Sequence, residues 1–286
     1  MKTYNCSILR LLITSIFILL GLSFTTCKQG TLDTSEPDPV DNPDWQLVWS
    51  EEFNKSTIDT NTWTFDIGNG SWGWGNNESE YYTNRTQNAF IENGNLVIAA
   101  LEESYGGYNY TSARLKTQGK KTFTYGKIEA RIKLPYGQGI WPAFWMLGSN
   151  INSVSWPKCG EIDILEMVGG TTPTSLNRGD RVAVGTAHWE DLNGNHQWDS
   201  GYTATNDQRL ADNYHLFSII WDSNSITWYF DNEAYYEVAI TSEMNELQNG
   251  FFILLNLAVG GNWPGYPDET TEFPQKMYID YIRYYQ

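Results

Sequence analysis

The chain has 286 residues, with 34 acidic against 18 basic side chains and a formal net charge of −16. That balance repels a phosphate backbone, which is bound by clustered Lys and Arg, and argues against nucleic acid as a partner. Thirteen Trp, eighteen Tyr and twelve Phe instead supply many flat apolar faces, which suit either a core or a surface that stacks on sugar rings.

Lys2 and Arg10 precede an apolar run from Leu11 to Leu22, which has the length of a signal-peptide core and is short for a bilayer span. The run ends in Ser23-Phe24-Thr25-Thr26-Cys27, the form of a bacterial lipoprotein signal. Residues 1–26 are then a leader, and Cys27 is the lipidated N-terminus of a protein held at the outer membrane, on the cell surface. A plain secretory signal with an incidental cysteine is the alternative. Residues 27–44 are rich in Thr, Asp and Pro with few apolar side chains, a composition that cannot bury enough surface to fold and reads as a flexible acidic tether.

Residues 45–286 have the size of one all-β domain. Only Cys159 remains within it, so no internal disulfide is available. With no base beside it, that thiol reads as a packing residue rather than a nucleophile. A strand is expected within Trp45–Phe53, with Leu47, Trp49 and Phe53 in phase, and a second after the Asn93-Gly94-Asn95 turn, over Leu96–Leu101. Lys127–Leu134 alternates Ile128, Ala130, Ile132 and Leu134 against Lys127, Glu129, Arg131 and Lys133, the pattern of a strand with one face on a core and one in water. Phe217–Trp221 and Ile226–Phe230 flank a turn and read as a hairpin. Phe251–Val259 and Met277–Tyr285 complete the set, with helical periodicity confined to Ser242–Gln248. Many short strands separated by turns imply a sandwich of two sheets.

Gly160-Glu161-Ile162-Asp163-Ile164-Leu165-Glu166-Met167 places three carboxylates in a stretch that otherwise reads as a buried strand. Glu161 and Asp163 share a face, whereas Glu166 falls an odd number of residues away and faces backwards in a regular strand. One extra residue, a β-bulge, brings it round beside the other two. Three crowded carboxylates cannot all ionise freely, so at least one is expected to hold its proton. A nucleophilic carboxylate beside a proton-donating carboxylic acid is what glycoside hydrolysis requires. A solvated strand edge with acidic residues outside is the alternative.

Gly137-Gln138-Gly139-Ile140-Trp141-Pro142-Ala143-Phe144-Trp145-Met146-Leu147-Gly148, then Trp156, then the acidic strand, closely resembles glycoside hydrolase family 16 and its laminarinase-like enzymes. The resemblance runs from about Trp45 to Gln286. It implies a β-jelly roll of two antiparallel sheets with a concave sugar-binding cleft, and a retaining mechanism. By it, Glu161 is the nucleophile, Glu166 the general acid/base, and Asp163 the residue between them that holds a shared proton. Trp141, Trp145 and Trp156 match sugar-contacting tryptophans, and His188 matches a position near the cleavage point. Gly73–Tyr82 with Arg85 resembles the loop over the negative subsites, where Asn76 and Arg85 bind hydroxyls. Glu78 and Glu80 in that loop read as lacking a partner carboxylate at strand spacing. Trp263, after Asn256-Leu257-Ala258-Val259-Gly260-Gly261-Asn262, is a platform at the non-reducing end.

Catalysis is expected to need no cofactor. The positions matching a structural calcium site are Glu52, the Gly94 carbonyl and Asp280, all oxygen donors. Asp191-Leu192-Asn193-Gly194-Asn195 also opens like a calcium loop, although His196 and Tyr202 stand where such a loop has Gly and Glu. The polar segment Glu190–Leu210 is expected to overhang the cleft. The implied activity is endo-hydrolysis of β-1,3-glucan or mixed-linkage β-1,3-1,4-glucan by a monomer. A non-catalytic glycan-binding jelly roll and a hydrolase of algal galactans are the alternatives.

Overall fold

The computed structural model describes residues 45–170 and 179–286, all within one compact unit. The expected leader 1–26, the tether 27–44 and Cys27 lie outside the described residues.

Seventeen strands run through them: β1 (Leu47–Glu51), β2 (Thr64–Asp66), β3 (Glu80–Tyr82), β4 (Ala89–Glu92), β5 (Asn95–Tyr105), β6 (Tyr108–Ser112), β7 (Arg114–Lys116), β8 (Gly126–Lys133), β9 (Ile140–Gly148), β10 (Glu161–Glu166), β11 (Val182–Glu190), β12 (His196–Ala204), β13 (His215–Trp221), β14 (Ser225–Phe230), β15 (Glu233–Ala239), β16 (Phe251–Val259) and β17 (Gln275–Tyr285). One sheet has ten strands, ordered β15-β14-β13-β8-β17-β5-β6-β3, with β1 beside β17 and β4 beside β5. The other has seven, ordered β12-β11-β10-β9-β16-β7-β2. Strands distant in sequence thus lie side by side, the expected jelly-roll sandwich. One pair, β3 with β6, is parallel, so the larger sheet is mixed rather than purely antiparallel.

The core lies between the sheets. Ile128, Ala130 and Ile132 of β8 meet the same buried cluster as Phe144 and Met146 of β9, Ile162 and Leu165 of β10, and Ile253, Leu255 and Leu257 of β16. Each fully buried Ile or Leu contributes about 1.5–3 kcal/mol. β16 is buried along its whole length, which its unbroken apolar run Phe251–Leu255 anticipates.

The reading of β8 is corrected at one end. Lys127 and Glu129, expected in water, are buried. They pair at 2.6 Å, and Tyr285 donates its hydroxyl to Glu129 at 3.2 Å, so an ion pair replaces solvent there. Leu47 is exposed and Phe53 falls after the end of β1. The expected helical turn is a single 3₁₀ turn, Asn245–Gln248.

Candidate active site

β10 carries the expected bulge. Against β11, Asp163 faces Thr186 while Glu166 faces Val184, three residues matched by two. Against β9, the step from Asp163 to Leu165 is matched by the single step from Trp145 to Phe144. The extra residue returns Glu166 to the face of Glu161 and Asp163, and all three line one cleft of about 690 Å³ on the seven-stranded sheet. Ile162, Ile164 and Leu165 remain in the core. A bulge leaves backbone groups without a strand partner. Here the Asp163 carbonyl accepts from the indole Nε1 of Trp228 at 2.8 Å, an indole that reaches through the core from β14 of the opposite sheet.

Burial raises all three carboxyls, and Asp163 adds to the rise of Glu161 and of Glu166, while a hydrogen bond with Glu161 opposes the rise of Asp163. Glu161 is pushed up to about 7, first by burial and then by Asp163, with His188, Trp156 and Arg114 opposing the rise. Burial pushes Asp163 up to about 8. Glu166 lies well above the carboxylate range, through burial and then Asp163, despite an indole hydrogen bond from Trp141 at 3.0 Å. Glu161 therefore ionises before Asp163, and Glu166 is held toward its protonated form. Those surroundings are compatible with a nucleophilic Glu161 and a proton-donating Glu166.

His188 on β11 lies opposite Glu161, with Nε2 3.1 Å from Asp163 Oδ2 and 3.8 Å from Glu161 Oε1. Its Nδ1 is 2.9 Å from His196 Nε2. Only one proton can sit between two imidazole nitrogens, and burial holds His196 toward its neutral form. With the His188 proton on Nε2 facing the carboxylates, His196 Nε2–H is the donor to Nδ1.

Asn76, Trp141, Trp145, Trp156, His188 and Trp263 all line the cleft as expected. Trp141 and Trp263 meet edge to face, ring centres 5.6 Å apart, and Trp145 donates its indole to Asn256 Oδ1 at 2.7 Å. Arg85 does not join them. It pairs with Glu103, donates to Asn88 at 2.9 Å, and lies over the ring of Tyr105 at 4.2 Å. The guanidinium in the cleft is instead Arg114 of β7, between the rings of Trp74 at 4.6 Å and Trp145 at 4.8 Å, with Nε 3.1 Å from Asp66. An arginine in the polar phase of the otherwise buried Ala113-Arg114-Leu115 was the available clue.

The loop ahead of β3 is a tight turn, Gly73–Asn77, that aims Trp74 and Asn76 into the cleft. Gly73 has φ 57°, and a side chain there would meet the Glu78 backbone nitrogen at 2.4 Å, so glycine is required. Glu78 and Glu80, read as unpartnered, are each other's partners. Both are buried, and both are raised above the usual range, first by burial. Glu78 reaches the cleft and accepts from Asn76 at 3.2 Å and from the Tyr82 hydroxyl at 3.2 Å, while Glu80 accepts the Val259 amide at 2.7 Å.

The residues matched to calcium do not form a fitting donor set. Arg283 grips Glu52 through Nε at 2.9 Å and Nη2 at 3.1 Å, and Asp280 accepts from Arg131 at 2.6 Å. Both carboxylates are thus already neutralised by separate guanidinium groups rather than left open to a divalent ion. Asp191 is likewise a turn anchor rather than a ligand. It accepts the Asn193 and Asn195 amides, each at 2.8 Å, closing the hairpin between β11 and β12. Within the segment after Glu190, His196–Ala204 forms β12, which pairs with β11, extends the sheet and lines the edge of the cleft rather than arching over it. Cys159 is buried and burial pushes its thiol up to about 12, as fits a packing residue.

A jelly roll whose concave sheet carries bulge-aligned carboxylates among tryptophans defines the class of glycoside-cleaving enzymes with paired carboxyl groups. The chain belongs to glycosyl hydrolases family 16, whose model matches residues 76–283. It is 49% identical to the laminarinase catalytic domain from Thermotoga maritima MSB8, with a TM-score of 0.75 over 85% of this chain and 98% of that one. It is 38% identical to a beta-glucanase from Rhodothermus marinus, over 85% of this chain and 86% of the relative. The clotting factor G alpha subunit of Tachypleus tridentatus is 44% identical over 85% of this chain, which spans 34% of that relative's length.

Proposed function

We propose that this protein is an endo-acting, retaining β-glucanase that cuts β-1,3-glucan or mixed-linkage β-1,3-1,4-glucan. The observation that carries the reading is the β10 bulge, which sets Glu161, Asp163 and Glu166 together on the floor of the cleft. The cleft takes lining residues from β7, β16, β9, β10, β11 and β12. A polysaccharide can therefore lie across the sheet and be cut internally.

In the first step the Glu161 carboxylate attacks the anomeric carbon while Glu166 gives its proton to the departing glycosidic oxygen, leaving a glycosyl ester on Glu161. In the second, Glu166, now a carboxylate, takes a proton from water. The resulting oxygen nucleophile attacks the anomeric carbon and releases Glu161. Before the attack, Asp163 opposes and His188 favours ionisation of Glu161. Membrane attachment through Cys27 is proposed on the leader sequence alone.

The test is product analysis on laminarin and on barley mixed-linkage glucan, beside Glu161→Gln. Oligosaccharides of β configuration from either polymer, lost in the variant, are expected; release from the mixed-linkage polymer alone would narrow the substrate to that glucan. A parent that cuts neither, with Glu161→Gln binding glucan equally well, would return the protein to the glycan-binding class.

A further inference from the structure

One arm of the cleft is left unused by the two-carboxylate chemistry. β12 is the edge strand of the concave sheet, and its residues His196, Trp198 and Ser200, spaced two apart, line the cleft together. Residues of the opposite strand phase are pinned from behind. Tyr236 of β15 donates its hydroxyl to Asp199, and Gly201 lies so close to the same ring that a side chain there would meet Tyr236 Cγ at 2.1 Å. The edge is thus held in place rather than left to splay.

On this arm Trp198 is 62% and Trp156 46% exposed, the two large apolar side chains that stand open in the cleft. His196 sits between them, its ring centre 4.4 Å from that of Trp156 and 5.4 Å from that of Trp198, the latter pair stacked at 29°. Stacking fixes the orientation of an indole that solvent would otherwise leave free. The lining residues that β12 supplies, His196, Trp198 and Ser200, include no carboxylate, lysine or arginine. A flat, uncharged, hydroxyl-bearing ligand matches that surface, and an ionic one does not.

We propose that Trp198 is a sugar-stacking platform in a distal subsite, holding the face of a glucose unit two strands, roughly 10 Å, from the strand that carries the nucleophile. Its role is to favour long chains over short ones. The inference rests on the β-glucanase reading above.

The experiment compares the full chain with Trp198→Ala and Trp198→Phe, measuring kcat/KM on laminarin and on laminaritetraose, together with retardation in laminarin-containing native gels. The ratio of kcat/KM on laminarin to that on the tetrasaccharide is expected to fall roughly three- to tenfold in Trp198→Ala, mainly through KM. Retardation weakens in parallel, and Trp198→Phe recovers most of both. An unchanged ratio and unchanged retardation in Trp198→Ala overturn the platform while leaving the enzyme reading intact. A parent that turns over no glucan sinks the enzyme reading, and the gel then still decides whether Trp198 holds sugar.

Discussion

The indole of Trp228 crosses the sandwich to donate its proton to the Asp163 carbonyl at 2.8 Å. The sheet that carries no catalytic residue thereby holds the bulge that makes the site. Gly185 of β11 permits the approach, since a Cβ at that position would meet the Trp228 ring at 2.3 Å.

Replacing Trp228 with Phe keeps most of the ring and strands a buried carbonyl, which costs about 1–3 kcal/mol. Thermal melting should show the Tm falling by several degrees. Because the bulge sets where Glu166 points, kcat is expected to fall more than KM rises; a variant with lowered Tm and unaltered kcat would mean the bulge holds itself.

His196 acts through His188. In His196→Ala the donor to Nδ1 is gone, and His188 can turn its unprotonated nitrogen toward the carboxylates, where it no longer favours ionised Glu161. The acid limb of the pH–rate profile is expected to move to higher pH and kcat/KM to drop roughly three- to tenfold, the worth of one hydrogen bond. Glutamine at 196, which can donate from its amide, should restore much of both. An unmoved acid limb in the alanine variant would refute the tautomer assignment.

Trp141 gives Glu166 a hydrogen bond that opposes the upward push of burial. Trp141→Phe removes it while keeping an aromatic face. Glu166 should then hold its proton to still higher pH, so the basic limb of the profile moves up. A downward or absent shift, read from initial rates across the pH range, would show that the bond does not tune the acid.

Glu161 has a folded-state value of about 7 against an ordinary 4.5. A raised carboxyl carries no penalty below its unfolded value, where it is neutral in both states, and becomes destabilising as the pH rises through the window from about 4.5 to 7. At one pKa unit per 1.36 kcal/mol, the full penalty approaches ~3 kcal/mol above that window. Glu161→Gln cannot ionise. Urea unfolding should show the variant gaining stability over the parent at pH 8 and little or none at pH 4.5. An equal gain at both would trace the effect to packing rather than charge.

The acidic strand shows how far local reasoning reaches. Side-chain alternation in Glu161–Glu166 and the misfit of one carboxylate demanded a bulge, because strand period and a single-faced site cannot otherwise both hold. The alternation of Ile128, Ala130 and Ile132 and the unbroken run at Phe251–Leu255 likewise declared a core-facing and a buried strand. These features depend only on neighbours along the chain, and the two-sheet class followed from them.

Other features depend on which strands become neighbours, and sequence order is silent on that. Arg85 was the cleft arginine expected from sequence, yet pairing of β7 with β16 carries Arg114 to the cleft face instead. Lys127 and Glu129 looked solvated until β13 and β17 closed round β8. His196 and Trp198 looked like a failed metal loop and a polar insertion, and became cleft residues only when β12 paired with β11. The sequence by itself determined several of the strands, the bulge and the crowding of three carboxylates, since those follow from local periodicity, and the roles of the carboxylates came from the family resemblance. Tertiary pairing alone decided which cation, imidazole and indoles share the cleft with them, since that is fixed by long-range hydrogen bonding between sheet neighbours.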